Sequence, residues 1–225
     1  MASATGQDSR PRLPFRDLGV TAYADALSEQ RRWAERVEAE GLDGVVLLTE
    51  HAPVLTVGRL AGKEELGREI DAWRKEGIEV VATDRGGRIT YHGPGQIVLY
   101  PVVNLKRLGR SLHQYIRGLE ETGIDFLAAY GVAAARVARH TGVWVGRNKI
   151  AAIGIHVRRW ITTHGMAVNV NNPSEVFGRF VPCGIRDRGV TSLCELLGAP
   201  VDLGGARQRL LASFERVFQV QLTHE

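Results

Sequence analysis

The chain has 225 residues, 44% of them apolar and 24% charged, with a formal net charge of +4. That length suits one large domain, and no apolar run approaches the ~20 residues of a membrane span. The mild, dispersed positive charge argues against nucleic acid and for an acidic protein partner, and two cysteines, Cys183 and Cys194, are too few for a disulfide framework or a zinc knuckle.

The opening run MASATGQDSRPRLPFRD has no apolar signal core. Residues 1–14 are expected to be a disordered tail, 15–225 a single domain, and the protein cytoplasmic. TAYADALSEQRRWAERVEAEG reads as a helix with Tyr23, Ala26, Leu27, Ala34 and Val37 on one face and Gly41 as its stop. GVVLLTE and PVLTVG are strand-like runs split by His51, Ala52 and Pro53. GKEELGREIDAWRKEG is helical in places, and IEVVATD is a strand. After a glycine-rich stretch comes QIVLYPVVNL, a buried strand. The segment from Ser111 to Gly131 opens on a capping-box spacing, Ser111 to Gln114, and predicts a long amphipathic helix. β-character then returns in AARVARH, GVWVG, KIAAIGIHV and WITTHGMAVNV. Ser192 and Glu195 form a second capping box, and ARQRLLASFERVFQV has helical spacing up to the end. With no strict βαβ alternation, the reading is α+β, with a mixed or antiparallel sheet packed by helices.

RGGRITYHGPGQ, from Arg85 to Gln96, holds four glycines, Gly86, Gly87, Gly93 and Gly95, beside Tyr91 and His92. Such glycines adopt left-handed backbone and let a ligand touch the main chain. Turns between strands would explain them equally well. Neither a dinucleotide fingerprint nor a phosphate loop occurs.

On KIAAIGIHV, strict alternation places Lys149 with Ala151, Ile153, Ile155 and Val157, and Ile150 with Ala152, Gly154 and His156. The small Ala152 and Gly154 leave room for something to lie against their face. A desolvated Lys149 would be a usable base, and a solvated lysine at a strand entrance is the plainer alternative. Cys183 sits between Pro182 and Gly184 in irregular backbone, where nucleophiles are often presented, although an inert buried thiol is the commoner case. Cys194 falls inside the capped helix as a small core filler. Seven histidines form no metal motif. His92 and His164, each followed by glycine, are candidates for orienting a carbonyl or for structural hydrogen bonding.

Three motifs, RGGRITYHGPGQIVLYPV, NKIAAIGIHVRRWITTHGMAVNV and FVPCGIRDRGVTSL, taken in order over Arg85 to Leu193, closely resemble the lipoyl(octanoyl) transferases. The resemblance implies a fold like the catalytic domain of biotin and lipoate ligases and a two-step acyl transfer without cofactor or metal. Cys183 would carry the acyl thioester, and Lys149 would lower its pKa and shuttle the proton. The acyl-substrate site would comprise Arg85, Gly86, Gly87, Arg88, Ile89, Thr90, Tyr91 and His92, then Ala152, Ile153 and Gly154, then Gly165, Met166 and Ala167, with His164 as an orienting group. Met166 departs from the Leu or Phe common after the His-Gly pair. The implied partners are octanoyl-acyl carrier protein and the lipoyl domains of 2-oxoacid dehydrogenase complexes and similar clients, with neither nucleic acid nor membrane. Two rivals are an ATP-dependent lipoate or biotin ligase on the same fold and a non-catalytic module that binds carrier domains. The chain lacks the ligases' GRGRxG-type or serine-rich SGGG-type loop.

Overall fold

The computed structural model describes residues 10–66, 69–180 and 188–224. One mixed sheet runs in the order β12-β1-β2-β6-β10-β9-β8-β7. Its strands are β1 (Arg12–Thr21), β2 (Gly44–His51), β6 (Gln96–Val103), β7 (Ala135–Val137), β8 (His140–Val145), β9 (Asn148–Arg158), β10 (Ile161–Asn169) and β12 (Gln221–His224), while the two-residue β11 (Gly189–Val190) pairs with β9. Pairings from β2 through β6, β10, β9 and β8 to β7 are antiparallel, and β1 lies parallel to both β2 and β12. A second, three-stranded sheet orders β4 (Glu79–Ala82), β3 (Val54–Val57) and β5 (Ile89–His92). This is the expected α+β architecture.

Helix α1 (Tyr23–Glu40) covers one face of the large sheet. It ends at Gly41, whose φ of 65° lets its N–H return to the Val37 carbonyl. Its buried stripe is Tyr23, Ala26, Gln30, Trp33 and Val37, so Trp33 and Gln30 take the places expected for Leu27 and Ala34. Trp33 and Val37 pack on Val45, Leu47, Val98, Tyr100 and Ala167, each such side chain contributing roughly 1.5–3 kcal/mol by leaving water. Helices α3 (Leu112–Ala128) and α5 (Leu203–Phe218) pack on the other face over Val46, Leu48, Leu99, Met166 and Val168. The Ser111–Gln114 capping box opens α3, with both reciprocal hydrogen bonds made. Short α4 (Leu193–Leu197) starts where Ser192 N–H donates to Glu195, and Cys194 on it is half-buried rather than a core filler. Short α2 (Ile70–Lys75) seats Trp73 in a third cluster with Leu55, Ile89, Tyr91 and Phe177.

Two edges differ from expectation. Arg12–Pro14 open strand β1, and Leu13 is fully buried, so the structured chain begins before residue 15. The run after α5 is strand β12, paired with Arg12–Phe15. Each strand depends on a partner some 200 positions away in the chain, which local periodicity does not reveal. Among the described residues no helix is long and apolar enough to cross a membrane.

The β7–β8 hairpin is tied to α3 by one buried carboxylate. Glu120 is 3% exposed. It accepts from Arg117 at 2.8 Å, from Arg136 at 3.1 Å and from the Gly142 N–H at 3.2 Å. Removing it leaves the buried Gly142 N–H without its acceptor and takes from Arg136 one of its two carboxylate partners, Glu121 being the other. Glu120→Ala is expected to lower the unfolding free energy by about 3 kcal/mol, read as a shift in the urea midpoint at unchanged slope.

Candidate active site

The segment Asp84–Arg88 lies across the large sheet, on the face that α1 also covers. Gly86 N–H donates to the Ile155 carbonyl at 2.9 Å. A Cβ on Gly154 would stand 2.9 Å from the Gly86 carbonyl oxygen, so only glycine admits this approach. Arg85 fastens the loop to β3, its guanidinium donating to the Thr56 carbonyl at 2.6 Å, to Thr56 Oγ1 at 2.8 Å and to the Gly86 carbonyl at 3.0 Å. Arg85 is itself buried, so part of its hydrogen-bonding capacity holds the loop in place. Beneath the loop is a cavity of about 370 Å³.

Most of the candidate residues border this one cavity. Arg85, Gly86, Gly87, Arg88, Thr90 and His92 reach it from the loop and β5. Lys149, Ala152, Ile153 and Gly154 reach it from β9, and His164, Gly165, Met166 and Ala167 from β10. Ile89 and Tyr91 do not: on β5 they alternate with Thr90 and His92 and point into the third core cluster, where Tyr91 meets Phe177 edge-on. Tyr91, expected in the acyl-substrate site, therefore does not line this cavity, and His92, 5% exposed, is buried in its wall. Met166 borders the cavity, but its side chain packs in the core on the α3 face, near Gly123. Cys183 lies outside the described residues.

Lys149 departs from strict alternation. Val143 pairs with Ala151 but Trp144 with Lys149, so two steps of β9 oppose one step of β8 and a β-bulge falls at Ile150. Ile150 and Ala151 both enter the core. The bulge returns Lys149 to the face of Ala152 and Gly154 rather than that of Ala151. Lys149 is 8% exposed. Its ammonium donates to the Thr141 carbonyl at 3.1 Å and lies 4.9 Å from the Trp144 ring centroid. Arg188 stacks on the same indole at 5.3 Å. Val190 of β11 pairs with Lys149, and Thr191 N–H donates to the Lys149 carbonyl at 3.0 Å.

Behind the cavity lies a buried polar network that the glycine-rich motif only partly announces. His92 Nδ1–H donates to Gln96 Oε1 at 2.7 Å, and the Gln96 amide donates to Asn169 at 2.8 Å and to the Tyr91 carbonyl at 3.2 Å. These bonds fix the imidazole as the Nδ1–H tautomer. His51 Nδ1–H donates to the Thr21 carbonyl at 2.9 Å, and its Nε2 accepts from Tyr100 at 2.7 Å. His164 Nε2–H donates to Asp84 at 2.7 Å, and its Nδ1 faces the Tyr23 hydroxyl at 3.4 Å. Tyr23 stacks on His92 with the rings 13° from parallel.

Burial governs the protonation of this wall. It pushes the Tyr23 phenol up to about 12 and the Tyr100 phenol well above its ordinary value. It holds His51 and His164 below the ordinary imidazole value, and His92 well below it, with the neighbouring His51 adding to the effect. Burial raises the Asp84 carboxyl, but the hydrogen bond and charge of His164 outweigh this and leave it lowered. The result is a wall of neutral imidazoles and phenols, suited to an uncharged ligand. Tyr23, His51, Asp84 and Tyr100 were not singled out from sequence. Tyr23 read as helix packing, and the one local signal for Asp84 is its place directly before Arg85.

The fold, a mixed sheet with helices packed on its faces, is shared with solved lipoate and biotin protein ligases. A bipartite lipoate protein ligase from Thermoplasma acidophilum superposes with a TM-score of 0.71 at 15% identity, over 96% of this chain and 87% of its own. A biotin protein ligase from Aquifex aeolicus gives 0.55 at 16% identity, over 92% and 70%. At such identities the likeness is one of fold. Residues 22–215 match the lipoyl protein ligase A/B catalytic domain, and the chain belongs to that family. An octanoyltransferase of Caldanaerobacter subterraneus subsp. tengcongensis is 43% identical over 91% of this chain and 89% of its own length.

The buried histidines make stability depend on pH. Unfolded, they titrate near 6.5; folded, their values are lower, so below that pH the unfolded chain binds more protons. Stability is full above about pH 6.5 and falls as pH drops through it, by up to about 1.4 kcal/mol per pH unit for each histidine. Urea unfolding at pH 7.5 and 5.5 is expected to show this loss, and His92→Gln a shallower slope. A flat profile in the parent protein would contradict the neutral assignment.

Proposed function

We propose that the protein transfers an octanoyl group from octanoyl-acyl carrier protein to a lysine of a lipoyl domain, through a thioester on Cys183. This is an acyltransferase reaction and the first step of endogenous protein lipoylation, taking place in the cytoplasm. The clients are lipoyl domains of 2-oxoacid dehydrogenase complexes and similar proteins. The observation that carries the reading is the setting of Lys149: buried, turned by the bulge onto the cavity face, and sharing the Trp144 indole with Arg188, which follows Cys183 by five positions in the chain. The relationship to octanoyltransferases supports the acyl group.

In the first step the Cys183 thiolate attacks the thioester carbonyl, its proton having passed to Lys149. The tetrahedral intermediate collapses with loss of the carrier thiolate, which takes up a proton. In the second step the neutral amine of the acceptor lysine attacks the enzyme thioester and the Cys183 thiolate leaves. Lys149 takes and returns protons in this cycle. Backbone N–H groups stabilise each oxyanion, at about 3–4 kcal/mol per well-placed donor. The donor is already activated, so the reaction needs no nucleotide, metal or cofactor.

Burying the methylene chain is worth roughly 5–6 kcal/mol at about 0.8 kcal/mol per CH₂. One carbon more or less changes affinity by about fourfold on that basis, so sharper selectivity requires a closed end to the cavity. The small Ala152 and Ala167 leave the space open, and the neutral His92, Tyr100 and His164 bound it.

Incubation with octanoyl-acyl carrier protein in the absence of ATP is expected to add one octanoyl mass to the intact protein, located on Cys183. Cys183→Ala should abolish the adduct, and Lys149→Ala should slow its formation by at least about a hundredfold. An adduct that appears only with ATP would instead identify a ligase. Full transfer by Cys183→Ala would identify a carrier-binding module with no covalent role.

A further inference from the structure

We infer that Arg139 forms an anion subsite at the mouth of the cavity and takes the phosphodiester of the donor's pantetheine arm. The inference rests on the proposed acyl-carrier donor and adds to it the group by which the arm is recognised.

Arg139 is the second residue of the two-residue turn joining β7 to β8, where Val137 pairs with His140. Its φ is 65°, in the left-handed region that disfavours side chains other than glycine, asparagine and aspartate. The next hairpin, joining β8 to β9, has its left-handed residue at the first turn position, and there it is a glycine, Gly146, at φ 58°. Local geometry alone thus favours glycine at 139, and an arginine held there points to function.

Five non-glycine residues among those described have positive φ. Four are engaged by their side chains: Arg159 with Glu38, Trp160 beneath Lys106, His164 with Asp84, and Gln219 with the Arg216 carbonyl. The Arg139 guanidinium makes no ion pair or hydrogen bond with any described residue. Arg136 on the same hairpin is held by Glu120 and Glu121, so the hairpin does not lack acidic neighbours. Arg139 is exposed, and it borders the cavity together with His140 and Thr141.

Its position along the path of the donor fits. The Thr141 carbonyl accepts from the Lys149 ammonium, which marks the reacting end. Two residues of extended chain, about 7 Å, separate Thr141 from Arg139, and the arginine side chain extends the reach outward. The carrier's arm ends in a thiol and begins in a phosphodiester, so an arm delivering its thioester near Lys149 runs its phosphate toward the rim. A planar, permanently charged guanidinium binds phosphate oxygens in pairs. Trp144 steadies the hairpin by donating to the His140 carbonyl at 3.1 Å.

The test compares two small donors that differ only in the phosphate, octanoyl-4′-phosphopantetheine and octanoyl-pantetheine. The parent protein should show a KM about tenfold lower for the phosphorylated donor. Arg139→Gly, which relieves the backbone and should leave the unfolding midpoint unchanged or higher, and Arg139→Gln should both erase that difference while leaving kcat and the octanoyl-pantetheine KM unchanged. Arg139→Lys should restore part of it. A difference that survives in both variants, or a variant that weakens both donors equally, overturns the subsite. A defect seen only with the whole carrier protein assigns Arg139 to the carrier's protein surface and likewise overturns the phosphate assignment. Transfer by the parent protein from neither donor nor from octanoyl-acyl carrier protein would defeat the proposed function itself, a result distinct from an unchanged donor ratio.

Discussion

The main chain of the Asp84–Arg88 loop touches the main chain of strand β9, and the cavity depends on that contact. The Gly86 N–H meets the Ile155 carbonyl, and no side chain fits at Gly154 beneath it. Arg85 then fixes the loop's outer edge by binding Thr56 of the small sheet. The two sheets are therefore coupled through the loop, and the large sheet supplies the base of the cavity while the small one supports its lid. Gly165 extends the same constraint to β10, where a Cβ would stand 2.1 Å from the Leu99 carbonyl oxygen.

The second determinant is electrical. Burial and hydrogen-bond direction keep the imidazoles of His51, His92 and His164 and the phenols of Tyr23 and Tyr100 neutral in and behind the cavity wall. Their protons are oriented: His51 and His92 donate to oxygen acceptors, and His164 donates to Asp84. A neutral, rigid wall can hold a hydrocarbon chain without stranding a charge beside it. The ammonium of Lys149 stands apart, at the end where the Thr141 carbonyl and the Trp144 ring meet it. A cavity whose imidazoles and phenols are neutral, with the Lys149 ammonium at one end, matches a substrate that is greasy over most of its length and reactive at its head.

Much of this was legible in the chain. Gly41 as a stop, the Ser111 capping box, and the strands bracketing the glycine-rich motif follow from short-range rules that the structure obeys. What escaped depends on distant partners or on one-residue shifts. β1 and β12 are strands because they pair with each other and, for β1, with β2. The bulge at Ile150 reverses the side of Lys149, and no residue in KIAAIGIHV announces an extra step. Ile89 and Tyr91 were grouped with Thr90 and His92 by motif, although simple alternation along β5 separates them. The Tyr23–His164–Asp84 connection joins three segments that only folding brings together.

The most direct test is a crystal structure of the protein bearing an octanoyl group. The account predicts the acyl chain within the cavity beside Gly87, Ala152 and Ala167, with its carbonyl carbon at the Lys149 end. A chain lying instead in the neighbouring groove of Leu112, Ile116 and Val157, with the space beneath the loop empty, would contradict it.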